Sequence, residues 1–121
     1  MSNEAPAGKL RHVYMSTNDP DSLAAFYGDA LGLEVRFADP SRWVQFRLDG
    51  TAFAVAGPGE APAGVTGLTV PVFEVEDLES WPARLAAAGA EVDPEIRDMG
   101  GHGRVLTARD PEGNVFQLFS K

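Results

Sequence analysis

The chain resembles itself. Ala30-Leu31-Gly32-Leu33-Glu34-Val35 returns as Ala87-Ala88-Gly89-Ala90-Glu91-Val92 at an offset of 57. Asp19, which ends an apolar stretch, has its counterpart in Asp77 at an offset of 58. Asp49-Gly50-Thr51-Ala52-Phe53 is matched by Glu112-Gly113-Asn114-Val115-Phe116 at an offset of 63. The offset widens because the second half carries the extra stretch Met99-Gly100-Gly101-His102-Gly103. Two related halves of about 60 residues follow, joined by the Pro-, Gly- and Ala-rich run from Ala56 to Gly64, which reads as a linker. At 121 residues the whole is one domain, 1–121, with module one at 9–56, the linker at 57–66 and module two at 67–120.

Each half reads as strand, helix, then three strands. In the first half Leu10–Thr17 is strand-like, and Asp19-Pro20-Asp21 starts a helix with proline in its first turn. Leu23, Phe26, Tyr27, Ala30 and Leu31 fall at helical spacing, and Gly32 ends the helix. Glu34–Phe37, Trp43–Leu48 and Thr51–Ala56 follow as strands, with Asp49-Gly50 as a hairpin turn. In the second half the strand is Gly67–Val75. Pro82 lies too deep for a helix capped by Asp77, so Ser80 is the expected cap of a short helix from about Trp81 to Ala88. Val92–Ile96, Arg104–Ala108 and Asn114–Phe119 complete the set.

Composition narrows the function. The chain has no cysteine, which excludes disulfides, thiolate metal sites and a cysteine nucleophile. Ten Lys+Arg against eighteen Asp+Glu leave a net charge of −8, which argues against nucleic acid or an anionic membrane as partner. No apolar run reaches a membrane span and the first eight residues lack the apolar core of a signal peptide, so the expected location is the cytoplasm.

Several motifs together resemble the vicinal oxygen chelate superfamily of glyoxalases, bleomycin-resistance proteins and extradiol dioxygenases. They are His12-Val13 with Asp19, Phe26-Tyr27, Leu31-Gly32-Leu33, Phe73-Glu74-Val75-Glu76-Asp77-Leu78, Leu85 with Ala88-Gly89, and Asp110-Pro111-Glu112-Gly113-Asn114, the turn before the last strand. The resemblance implies an α+β fold of two tandem βαβββ modules forming a curved mixed-sheet cup, with the helices on its convex face. It also implies a homodimer whose second chain helps complete the cup and covers the sheet edges.

In the enzymes of that superfamily a divalent metal sits on the concave face, on His or Gln of each module's first strand and Glu of each last strand. The corresponding positions here are His12, Ala54, Val70 and Gln117. Alanine and valine cannot ligate, and the neighbours Phe53 and Val55 are equally inert. A divalent ion needs about three protein ligands, usually with a carboxylate. The expectation is therefore no metal and no other cofactor.

Strand alternation gives the lining of the cup. Tyr14 and Ser16 share the face of His12; Val72 and Glu74 share that of Val70; Val115 and Phe119 accompany Gln117. The third strand offers either Trp43 and Gln45 or Val44 and Phe46, and Trp43 is preferred because Val44, Phe46 and Leu48 form the better core set. Ala52 and Ala54 leave room. Met99 and His102, in the glycine-rich stretch, are either part of a gate over a ligand or of a simple mobile hairpin loop. The expected ligand contacts are Tyr14, Trp43, Gln117, Phe119, Met99 and His102, and the proton-transfer candidates are His12 and Glu74.

Two functions fit. One is a metal-free binder of the bleomycin-resistance type, sequestering an aromatic or amphipathic small molecule such as an antibiotic or pathway intermediate. The other is a lyase, isomerase or dioxygenase-like enzyme that uses a metal in an altered site or acid/base catalysis by His12 or Glu74. Whether the chain is an enzyme is open at this level.

Overall fold

The computed structural model describes residues 11–60 and 69–121, with His102 described by its backbone alone. In chain order the first module is β1 (Val13–Ser16), α1 (Pro20–Leu31), β2 (Glu34–Asp39), β3 (Trp43–Arg47) and β4 (Ala52–Ala56). The second is β5 (Val72–Glu74), α2 (Trp81–Ala87), β6 (Glu91–Val92), β7 (Arg97–Asp98), β8 (Arg104–Arg109) and β9 (Val115–Ser120). The first sheet runs β1-β4-β3-β2; the second runs β5-β9-β8-β6, with β7 also on β8. In both, the first strand lies parallel to the last and the other pairs are antiparallel. The α+β fold of two βαβββ modules is present as expected, although the two sheets do not close into one.

Local chemistry explains the elements and their departures from expectation. Asp19 accepts the Ser22 amide at 3.1 Å, Pro20 occupies the first turn, and Gly32 ends α1 in the left-handed conformation at φ 67°. Ser80 precedes α2 but does not cap it through its side chain: its hydroxyl donates to the Asp77 carbonyl at 2.8 Å, within a single 3₁₀ turn, Leu78–Ser80. Proline shortens the second sheet. Pro71 accepts from the Gln117 amide at 3.0 Å but has no N–H to return, so β5 begins only at Val72 rather than in the expected stretch from Gly67, which itself lies outside the described residues. Of the expected strand Val92–Ile96 only Val92 is strand: β6 stops there, two residues before Pro94, and β7 begins beyond Ile96 at Arg97. β2 is longer than expected and carries an irregularity between Val35 and Phe37 that leaves Arg36 out of register. Leu10 and residues 61–64 of the joint also fall outside the described set.

The modules share one core. α1 buries Leu23, Phe26, Tyr27 and Ala30, and α2 buries Trp81 and Leu85. Phe53 of β4 meets Phe73 of β5 edge-on at 5.3 Å, and Tyr27 meets Phe116 of β9 at 5.5 Å. Each such ring contributes about 1.5–3 kcal/mol by burial.

A polar clasp crosses the same junction. Among the described residues Thr17 and Asp110 are the buried polar ones. The Thr17 hydroxyl donates to the Glu112 carboxylate at 2.6 Å, and the Tyr27 hydroxyl donates to Asp110 at 2.8 Å. Asp110 also accepts the amides of Glu112 and Asn114 and the Asn114 side chain, each at 2.9 Å. These bonds satisfy the buried carboxylate and fix the Asp110–Asn114 turn between β8 and β9. Burial, and then the Asp110 charge, push the Tyr27 hydroxyl well above the usual tyrosine range.

Candidate functional site

Val44, Phe46, Phe53, Val55 and Met15 point into the core. Alternation therefore puts Tyr14, Trp43 and Gln45 on the opposite, open face of the first sheet. Tyr14 and Gln45 both stand beside Ala54 in register, and Trp43 stands beside Ala56. Ala52 and Ala54 were expected to leave room, and the rings of β1 and β3 meet over Ala54 and Ala56. Tyr14 and Trp43 approach to 5.1 Å between centroids, Ala54 is fully buried, and His12 meets Trp43 edge-on at 5.4 Å. The indole N–H of Trp43 donates to Gln45 Oε1 at 3.1 Å. His12 Nδ1 is buried and has no hydrogen-bond partner among the described residues.

The remaining expected residues lie on the second module. Gln117 and Phe119 stand beside Val72 and Glu74 in register. Gln117 donates to the Thr107 hydroxyl at 3.0 Å. Phe119 packs on Gly103 so closely that a Cβ there would come within 2.7 Å of the ring. The glycine-rich stretch is a compact 3₁₀ turn, Gly100–His102, closed by the Met99 amide donating to the Gly103 carbonyl at 2.8 Å. The His102 side chain lies outside the described set. Glu74 is exposed and lines a groove of about 620 Å³ between the modules, with Leu48 and Trp81, and Arg84 lying 4.0 Å over the Trp81 ring. His12, Tyr14 and Trp43 are thus brought together; no described contact joins them to Glu74, Gln117 or Phe119.

Three arginines escaped the sequence reading. Arg11, Arg36 and Arg47 line one cavity of about 280 Å³ beside Gln45 and Ala52. Alternation from Trp43 through Gln45 to Arg47 was the available signal, but the strongly acidic balance of the whole chain masked it.

The donor set does not fit a divalent metal. Of the four positions implied by the superfamily, Ala54 is a buried methyl, Val70 an exposed isopropyl group, and Gln117 a neutral amide where a carboxylate would offset the ion's charge. Among the described residues no three His, Cys, Asp or Glu side chains converge.

A family model described as the Glyoxalase/Bleomycin resistance protein/Dioxygenase superfamily matches residues 9–118. The chain belongs to that superfamily. Its likeness to CFP32 of Mycobacterium bovis is 32% identity over 113 residues, covering 92% of this chain and 43% of that protein. The chain therefore spans less than half the length of the curated relative it matches. Among solved structures, lactoylglutathione lyase from Agrobacterium tumefaciens superposes with a TM-score of 0.76 at 22% identity, covering 96% of each chain. A mutant of the fosfomycin resistance protein FosX from Listeria monocytogenes, complexed with Mn(II) and 1S,2S-dihydroxypropylphosphonic acid, superposes with a TM-score of 0.73 at 20% identity, covering 94% of this chain and 90% of that one. At these identities the structural likenesses establish the glyoxalase fold. No helix among the described residues is long and apolar enough to cross a membrane.

Proposed function

We propose that this chain is a metal-free small-molecule-binding protein of the bleomycin-resistance kind. It holds an aromatic or amphipathic compound against the first sheet, and acts in the cytoplasm as a homodimer. The observation that carries the reading is the meeting of Tyr14, Trp43 and His12 on one open sheet face, a stacking surface with polar edges. That surface is a half-site. Phe37 on β2 and Val72 on β5 are each more than half exposed, which suits apolar strands covered by a second copy. In such a dimer Gln117, Phe119 and Met99 of one chain would face the aromatic cluster of the other.

Calorimetry against a panel of planar aromatic compounds tests the reading, with sedimentation at micromolar concentration reporting the dimer. A dissociation constant below about 100 μM for at least one compound is expected; no binding across the panel, or a monomer near 13 kDa, overturns the corresponding part.

A second reading, acid/base catalysis by His12, draws on the buried Nδ1 that lacks a partner among the described residues. Turnover abolished in His12→Ala, with binding retained, would select it. Elemental analysis of protein purified without chelator covers the metal-dependent version: about one metal ion per chain would select that one.

A further inference from the structure

The open face of the first sheet is cationic in a strongly anionic protein. Only ten of the 121 residues are Lys or Arg, against eighteen acids, yet Arg11, Arg36 and Arg47 line a single cavity at the end of β3. Arg42, Arg104 and Arg109 each pair with a carboxylate. Arg11, Arg36 and Arg47 pair with none among the described residues. Glu34 stands opposite Arg47 in register, but the two form no ion pair. Three like charges with no ion pair of their own among the described residues repel one another, and the strand irregularity at Val35–Phe37 is what leaves Arg36 free of the ladder beside the other two.

Gln45 links this cavity to the aromatic cluster. It lines the cavity, while its Oε1 accepts the Trp43 indole N–H at 3.1 Å. That bond fixes which end of the amide is used, and the Gln45 –NH₂ remains a donor. At about 280 Å³ the cavity is below the usual size of a whole ligand site, but it admits a carboxylate or phosphate whose ring lies outside. Guanidinium groups and an amide N–H₂ are the donors that such oxyanions take.

We infer that the ligand of this face is a planar aromatic compound bearing an oxyanion, its ring on Tyr14 and Trp43 and its carboxylate or phosphate among Arg11, Arg36, Arg47 and Gln45. The inference rests on the aromatic-face reading and adds the charge of the ligand. It opposes the simple expectation from net charge, under which an acidic protein selects cations.

The test uses the intact ¹⁵N-labelled protein and four probes sharing one ring: 2-naphthoate, 2-naphthyl phosphate, 2-naphthalenemethanol and 2-naphthylmethylammonium. Its two tryptophans give two indole N–H signals, Trp43 on this face and Trp81 in the other groove. At least one anionic probe is expected to shift the Trp43 signal and bind about tenfold more tightly than the neutral alcohol, on the scale of a few partly exposed charge pairs. The cation is expected to bind most weakly. In Arg36→Gln/Arg47→Gln, both exposed positions, that advantage collapses to within about twofold while the alcohol is unaffected. If all four probes shift Trp43 with equal affinity, the anion inference falls and the aromatic reading stands. If an anion binds in an arginine-dependent way without moving Trp43, the oxyanion cavity stands and the aromatic reading falls. No shift of Trp43 by any probe, with no arginine dependence, overturns both.

Discussion

The rings of Tyr14 and Trp43 meet at 5.1 Å from strands that are not neighbours. β1 and β3 each pair with β4, so their backbones stand roughly 9.6 Å apart, twice the strand spacing. Contact across that gap depends on β4 presenting only methyl groups, Ala54 and Ala56. Ala54→Leu is expected to drive the rings apart and cost about 1–3 kcal/mol, as overpacking does. Urea denaturation gives the cost, and near-ultraviolet circular dichroism reads the loss of ring coupling.

Stacking and proton transfer make opposite demands on Trp43 and His12. For a stacking site, Trp43→Ala weakens binding by about 1–3 kcal/mol and His12→Ala by about 1 kcal/mol, a single hydrogen bond. For an acid/base enzyme the order inverts in kcat, with His12→Ala losing orders of magnitude. We expect the first pattern, measured by calorimetry on both variants against one ligand.

Tyr27 ties stability to alkaline pH. An unfolded tyrosine ionises near pH 10, and burial beside Asp110 raises the folded value well above that. The stabilisation is therefore complete below about pH 10 and is lost as pH rises through the interval above it, by about 1.4 kcal/mol per pH unit. Tyr27→Phe is expected to cost about 1–2 kcal/mol at pH 7, the worth of a hydrogen bond to a charged acceptor. The gap between the two proteins should narrow above pH 10 in denaturation curves; a gap that widens there would contradict the assignment.

Gly103 cannot become alanine cheaply. Its φ is 95°, and a Cβ would lie within 2.7 Å of both the Phe119 ring and the Ser120 carbonyl. Gly103→Ala is expected to destabilise by about 2–4 kcal/mol, adding backbone strain to a clash that neither β8 nor β9 can relieve. Gly101→Ala, two residues away with open space around its Cβ, serves as the control and should stay within about 1 kcal/mol.

Periodicity carried most of the architecture. The Asp19-Pro20 start and Gly32 stop defined α1, and the paired turns at Asp49-Gly50 and Asp110–Asn114 set the strands that follow. Its failures are tertiary or proline-driven. Pro71 and Pro94 cut ladders that hydropathy would have continued, and the bulge at Arg36 has no signature in residue type. On the site, alternation put Tyr14 and Trp43 on one face correctly. Alternation has no information on which sheet faces which: Gln117 and Phe119 stand in the second sheet, beside Val72 and Glu74. Net charge, a sum over the chain, hid a local cluster of the opposite sign.

The clasp also sets a timescale. Its bonds join residues 95 and 83 positions apart, Thr17 to Glu112 and Tyr27 to Asp110, whereas strand pairing within each module spans far less chain. Closing the longest loops costs the most entropy before any contact rewards it, so each module can condense first and the seam between them last. Interactions formed after the barrier govern escape from the native state rather than arrival in it. Thr17→Val should therefore leave the refolding rate nearly unchanged and accelerate unfolding several-fold in stopped-flow measurements. On that basis the seam, its two hydroxyl bonds together with the equally distant Tyr27–Phe116 contact, determines how long the two halves stay together.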